Sequence, residues 1–211
     1  YGTFSFGDDF YYNFMRGILY YHLSAIPLHQ FQRQYLDEGR GVKEQQLNLT
    51  PLQIRQIAEY LSWNLKEENA VYKYDFFRDN CATRVITLLQ ESLGESFETN
   101  CEQSGRTFRD GLQPYIVGSP WIAFGMDFIL GPKSDEIMPP CGDAYIPDEL
   151  FNALSKMTVD GVSLLKSNGE SFVVFDEGNW LPDFAFDVPS ILTVVILILV
   201  IIVTVRNREK C

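Results

Sequence analysis

The sequence predicts an α+β domain followed by a membrane-spanning helix, on three observations. First, the run Tyr72–Leu93, YKYDFFRDNCATRVITLLQESL, reads as an aromatic strand that passes through a short polar turn into a helix. Second, Thr50, Pro51 and Gln53 have the spacing of a capping box, and Ile54, Ile57, Ala58 and Leu61 follow along one helical face. Third, Pro189 to Val205 reads PSILTVVILILVIIVTV, uncharged throughout and too long for a strand. A helix that leads into a strand and then a second helix suits a domain of mixed layers.

Taken in order, residues 1–12 alternate aromatic and small or polar side chains, with Gly2 and Gly7 as breakers, and predict a strand and turn. Phe14 to Tyr21 predicts a short helix or irregular segment, and Pro27 prevents one continuous helix beyond it. The charged stretch Arg33 to Gln46, with Gly39 and Gly41, predicts a solvated turn. After the capped helix comes the strand Val71–Phe77. Next is a helix carrying Val85, Leu88, Leu89 and Leu93 at helical spacing, closed by Gly94. Arg106 to Leu112 starts another helix. The apolar segment 120–131 reads as a buried helix, with the wall of an acyl-chain groove as the alternative. Ile146-Pro147-Asp148-Glu149-Leu150 opens a helix reaching about Met157, and 162–175 predicts a hairpin turning at Asn168-Gly169.

The expected organisation is a domain over 1–180, a linker over 181–187, a transmembrane helix over 188–205 and a cytoplasmic tail over 206–211. Asp176, Glu177, Asp183 and Asp187 precede the span, whereas Arg206, Arg208 and Lys210 follow it. The large domain is therefore expected outside the cytoplasmic membrane, with a single pass through it. The chain starts at Tyr1 with no signal-peptide pattern before it and stops six residues past the span, so it reads as a piece of a longer protein.

Composition removes several classes of function. Net charge is −11, from 28 acidic and 17 basic residues, which argues against binding a nucleic-acid backbone. Neither GxGxxG nor GxxxxGK[ST] occurs, and there is no CxxC, HxxxH or HExxH, so no phosphate loop, metal site or cofactor is expected. Cys101 and Cys141 either pair, in an oxidising compartment, or stay as separate thiols.

Cys81 is the candidate nucleophile. With Asp79 or Asn80 as N-cap it falls in the first helical turn, where unpaired N–H groups and the positive end of the helix dipole favour a thiolate; the alternative is a small buried hydrophobe. The same N–H groups are expected to supply part of an oxyanion hole. His22 and His29, the only histidines, are either an alternative base or structural groups of a strand pair. Arg84, one turn in, either orients a polar head group or pairs with Asp75 or Asp79, and the pairing role is the preferred reading.

The block Tyr74-Asp75-Phe76-Phe77-Arg78-Asp79-Asn80-Cys81-Ala82-Thr83-Arg84 resembles the signature of the Lnb N-terminal periplasmic domain family of Bacteroides-type bacteria. So do Tyr1-Gly2-Thr3-Phe4-Ser5-Phe6, Arg16-Gly17 with Tyr20, Gln46-Leu47-Asn48-Leu49-Thr50, Pro120-Trp121 and Leu130-Gly131, and the resemblance covers about residues 1–175. It implies a papain-like cysteine acyltransferase that N-acylates lipoproteins, with a membrane lipid as acyl donor and a lipoprotein N-terminus as acceptor. Cys81 would be the nucleophile, and Asn80, Thr83 and Arg84 its immediate surroundings. The resemblance also implies a histidine partner in a Gly-His segment upstream of the Tyr-Gly-Thr-Phe stretch, which this sequence does not include. The alternatives are a papain-like thiol hydrolase of peptidoglycan or other envelope amides, and a non-catalytic envelope binding module.

Overall fold

The computed structural model describes residues 2–4, 7, 10–40, 42–173 and 188–208. Within them the chain alternates short strands and helices, as an α+β protein does. β1 (Gly2–Phe4), β2 (Tyr20–Leu23) and β4 (Val71–Lys73) form an antiparallel sheet in the order β1-β2-β4, with Phe4 opposite Tyr21 and Tyr21 opposite Tyr72. β3 (Val42–Leu47) pairs with β8 (Leu165–Val173). β5 (Phe97–Glu98), β6 (Thr158–Val159) and β7 (Val162–Ser163) make a third sheet. The helices are α1 (Phe10–Met15), α2 (Leu28–Asp37), α3 (Pro51–Asn64), α4 (Thr83–Leu93), α5 (Phe108–Ile116), α6 (Pro120–Leu130), α7 (Pro147–Leu154) and α8 (Val188–Arg208).

The described residues group into two compact units, one within Tyr1–Gly105 and Ile137–Gly178, the other within Arg106–Glu136 and Asn179–Cys211. The core of the first is built on α4: Ala82, Leu89 and Leu93 pack with Phe97, Ala144, Leu150, Ala153, Leu154, Met157, Val159 and Leu164. Leu47, Leu49, Ile57, Val85, Ile86 and Leu165 close over it, half-buried. This explains the apolar spacing of α4, because Val85, Ile86, Leu89 and Leu93 all belong to or pack against this cluster. Gly94 ends the helix at φ 58°, a conformation that costs a side chain little only when it is absent. In the second unit, α5 is capped by Thr107 and Asp110, and α6 packs against α5 and α8.

The capping box of α3 is as expected: the Gln53 N–H donates to Thr50 Oγ1 at 3.3 Å, and the Thr50 N–H donates to Gln53 Oε1 at 2.9 Å. Its expected buried face is not. Ile57 reaches the core, but Ile54 and Leu61 stay exposed, because α3 packs only its α4-facing edge. Other corrections have equally local causes. The charged stretch 33–46 is not one turn: α2 extends to Asp37 and β3 starts at Val42, where the polar run Lys43–Gln45 is paired with β8. β4 stops at Lys73, where the chain turns away from β2 instead of continuing to Phe77.

The hairpin expected at Asn168-Gly169 is absent: β8 continues through that pair as one strand, which pairs with β3 on either side of it, at Leu165 and from Glu170 onward, with a shift of register between. The two-residue turn is Asp160-Gly161, between β6 and β7, and both residues have positive φ (51° and 73°), the primed geometry that suits a hairpin. Residues 174 and 175 of the expected hairpin lie outside the described residues. The segment 120–131 is helical as expected but has no buried residue. The run 189–205 also forms a helix, within α8. The described side chains Ile191–Ile202 are all exposed. Among the described residues no helix is long and apolar enough to cross a membrane. The linker 181–187 and residues 209–211 lie outside the described residues.

Candidate active site at the start of the cysteine helix

The junction between β4 and α4 is built by side chains that replace missing backbone partners. After Lys73, the Tyr74 N–H donates to Leu19 O at 2.8 Å, and Asp75 and Asp79 exchange two backbone hydrogen bonds at 3.0 Å. Asp75 Oδ1 accepts from the N–H groups of Phe77 and Arg78, at 3.0 and 3.1 Å, which closes the turn. Phe77 goes inside and meets the Tyr145 ring edge-on at 5.3 Å.

Asn80 is 4 % exposed and uses both ends of its amide. Its Oδ1 accepts from the N–H groups of Ala82 (2.8 Å) and Thr83 (2.9 Å), while its Nδ2 donates to Phe76 O and to Tyr145 O, each at 2.8 Å. The Asn80 N–H donates to Thr83 Oγ1 at 2.9 Å, and Asn80 O accepts from the Arg84 N–H at 3.1 Å. Asn80 therefore performs the capping, although the regular helix starts only at Thr83. Asp79 takes no part in the cap: its carboxylate accepts two hydrogen bonds from Arg84, at 2.7 Å from Nε and 3.0 Å from Nη2. The Arg84 guanidinium lies 3.3 Å from the centre of the Tyr72 ring. This is the pairing role expected of Arg84, with an aromatic face added.

Cys81 follows the cap. It is exposed, whereas its neighbours Asn80 and Ala82 are buried, so the turn is fixed on both sides of a thiol that faces outward. Two sequence expectations change here. Cys81 lies in the turn before α4 and not in its regular first turn, and the N–H groups of Ala82 and Thr83 already donate to Asn80. The oxyanion donors expected from those two amides are thus committed to the cap.

Tyr21, Tyr72 and Tyr74 lie within electrostatic range of Cys81. Burial, before any other cause, pushes all three phenols above the ordinary tyrosine range, with Arg84 opposing it at Tyr72, so they are neutral hydroxyls at pH 7. Tyr21 and Tyr74 stack at 5.3 Å between ring centres, and Phe4 meets Tyr21 at 4.1 Å and Tyr74 at 5.3 Å. The Tyr21 ring lies over Gly2, where a methyl group would collide with it. These aromatics were not singled out in the sequence. The period-two spacing of Tyr72 and Tyr74 puts them on one strand face and was readable; the contribution of Phe4 and Tyr21 depends on β1 and β2 pairing beside β4.

The two histidines are elsewhere. His22 follows Tyr21 on β2, so its side chain takes the opposite sheet face, and it is exposed; His29 is exposed in the first turn of α2. Among the described residues, no contact brings either to Cys81. Cys101 and Cys141 form a disulfide with α-carbons 5.3 Å apart, which settles that pairing.

The fold and this junction define a class: an α+β domain that presents a fixed, outward-facing cysteine at the start of a buried helix. The family model described as Lnb N-terminal periplasmic domain matches residues 7–114, just over half of the chain and including the whole Cys81 block, and the chain belongs to that family. It is accordingly a periplasmic domain of an Lnb-type protein. No curated protein and no solved structure matches it.

Proposed function

We propose that this chain is the envelope part of a papain-like cysteine acyltransferase that N-acylates lipoproteins, with Cys81 as its nucleophile. The observation that carries the reading is the exposed Cys81 held between buried Asn80 and Ala82, inside the segment matched by the family. The Cys81 thiolate attacks the ester carbonyl of a membrane lipid. The tetrahedral intermediate collapses, the lipid alcohol leaves with a proton, and the acyl chain remains on Sγ as a thioester. The free α-amine of a lipoprotein's N-terminal cysteine then attacks the thioester, forms the amide and returns the thiol. The base that first takes the thiol proton is the upstream histidine that the resemblance implies, a reading supported by His22 and His29 making no contact with Cys81 among the described residues. In this reading the neutral hydroxyls of Tyr21, Tyr72 and Tyr74 serve the oxyanion in place of the committed amides. Thr83 and Arg84 position the turn, one through the Asn80 N–H and the other through Asp79.

The same proposal includes the membrane. The proposed span, 188–205 within α8, is about 27 Å at ~1.5 Å per residue, somewhat less than a hydrocarbon layer of ~30 Å, and its flanks extend it. We assign 188–205 to a single pass through the cytoplasmic membrane, 1–180 to the periplasmic domain, 181–187 to the linker and 206–211 to the cytoplasmic tail. Resistance of the chain to alkaline carbonate extraction from membranes is expected; release into the soluble fraction would remove the anchor.

The test of the activity is mass spectrometry of lipoprotein N-termini from cells carrying the full-length gene, wild type against Cys81→Ala. Loss of the N-linked acyl chain in the variant is expected. Unchanged triacylated lipoproteins, in a strain without a second such enzyme, would overturn the reading; peptides released from purified cell wall in a Cys81-dependent way would replace it with an amide hydrolase.

A further inference from the structure

We infer that the Cys101–Cys141 disulfide is a positioning brace for Cys81, acting through Tyr145 and Asn80. The inference rests on the reading of Cys81 as the nucleophile. Four observations, all within the first compact unit, lead to it. Asn80 ties the Cys81 turn to a distant segment through one hydrogen bond, Nδ2 to Tyr145 O at 2.8 Å, buried from solvent. Tyr145 ends a short 3-10 turn, Gly142–Tyr145, that starts immediately after Cys141. Ala144 of that turn is fully buried and packs in the same cluster as Ala82, next to Cys81. Cys141 has φ 56°, in the left-handed region that a side chain seldom adopts without being held there.

The physical argument concerns what keeps the Tyr145 carbonyl in place. A 3-10 turn of four residues has little stability of its own. Met138, Ala144, Tyr145 and Ile146 are buried, but the chain entering the turn is pinned by the bond from Cys141 to Cys101, across 40 residues of sequence. Without that bond Cys141 is free to leave its left-handed conformation, and the carbonyl acceptor moves with the turn. Asn80 then loses a partner that no water can replace at a buried site without opening it. The Asn80 amide is shared: shifting its Nδ2 end also shifts the Oδ1 end that holds the N–H groups of Ala82 and Thr83. The thiol between them follows. An open cleft of about 490 Å³, lined by Cys101, Cys141, Asp143, Glu149, Asn152 and Lys156 among others, leads directly to the disulfide, so a soluble reductant reaches it in the folded protein.

The test uses the whole chain in a Cys211→Ser background and reads the rate and pH profile of Cys81 alkylation by iodoacetamide. Asn80→Asp is the companion variant: it retains the oxygen that caps Ala82 and Thr83 but replaces the donor shared by Tyr145 O and Phe76 O. Asn80→Asp and the double variant Cys101→Ser/Cys141→Ser are each expected to change the alkylation rate at least about threefold, the scale of a disturbed helix terminus, with helix content unchanged. Combining them is expected to give an effect smaller than the product of the two, since both cut the link to Tyr145 O while Asn80→Asp alone also cuts the one to Phe76 O. Independent, multiplying effects would overturn the inference, as would wild-type alkylation in the folded double variant. If that variant fails to fold, the folded wild type is reduced with a water-soluble phosphine and the amide exchange of Ala82 and Thr83 is followed. Faster exchange at those two amides is expected, and unchanged protection would equally overturn the brace. Alkylation and exchange report the position of the thiol whether or not acyl transfer occurs, so failure of the brace and failure of the acyltransferase reading are separate results.

Discussion

α4 and α6 are both eleven residues long, and the more apolar of the two is the one left uncovered. α4 carries Thr, Arg, Gln, Glu and Ser, yet Leu89 is 2 % exposed and Leu93 is buried with it. α6 has one charged residue, Asp127, and none of its residues is buried; Phe128 is 80 % exposed. Burial follows from what a neighbour can cover, and a neighbour covers a stripe. α4 concentrates its apolar side chains on the side facing α7 and the β5-β6-β7 sheet. α6 spreads them around its circumference, so its contacts with α5 and α8 leave much of the apolar surface outside. Asp127, meanwhile, makes an ion pair with Arg109 of α5.

Replacing one leucine gives the largest test of this contrast. Leu89→Ala is expected to destabilise the protein by about 3 kcal/mol through lost burial and a residual cavity. Phe128→Ser, which removes a larger side chain, is expected to stay within about 0.5 kcal/mol. Chemical denaturation of the two variants decides it, and comparable losses would mean that α6 is covered after all.

The polar side of α4 sharpens the comparison with a smaller effect. Arg84→Met removes a half-exposed ion pair to Asp79 and the guanidinium over Tyr72, together worth about 1 kcal/mol. The loss is expected to shrink in high salt only by the ion-pair share.

Alkaline titration probes the aromatic wall beside the same helix. The folded-state values of Tyr72 and Tyr74 lie above their unfolded value, chiefly through burial. Their stabilising contribution is therefore complete below the unfolded value, about 10, and is lost as pH rises from there through the folded values. Phenolate absorbance at 295 nm is expected to show these two tyrosines ionising only together with unfolding. Ionisation in the folded protein near pH 10 would show that the wall is open to water.

The smallest effect belongs to the α6 neighbourhood. The hydrogen bond from Arg109, before any other cause, holds the Asp135 carboxyl below its usual range, and the Thr107 amide and hydroxyl do the same for Asp110. Because the folded values are lowered, this contribution is present above the unfolded value of about 3.9 and disappears as pH falls through the folded values. Both groups are exposed, so a slight, salt-sensitive loss of thermal stability below pH 4 is the expected outcome for wild type. A smaller loss in Asp135→Asn is expected, the remainder being the Asp110 share.

The sequence by itself determined everything that depends on near neighbours along the chain. The Thr50–Gln53 capping box, the stop at Gly94, the stripe of α4, the helices after Arg106 and Ile146, and the turn that holds Cys81 are all set within a few residues, where hydrogen-bond reach and the 3.6-residue period operate. Only the tertiary structure decided which oxygens and rings complete the site. Asn80 was visible as a cap, but its second set of bonds ends on the Tyr145 carbonyl, 65 residues away, and a carbonyl carries no mark in the sequence. Tyr21 comes within electrostatic range of Cys81 because β2 pairs with β4, and His22, one residue on, takes the opposite sheet face. The hairpin is expected at Asn168-Gly169 and found at Asp160-Gly161 for the same reason: both pairs suit a tight turn, and pairing with β3 on either side of Asn168-Gly169 keeps that pair within one strand, at a shift of register.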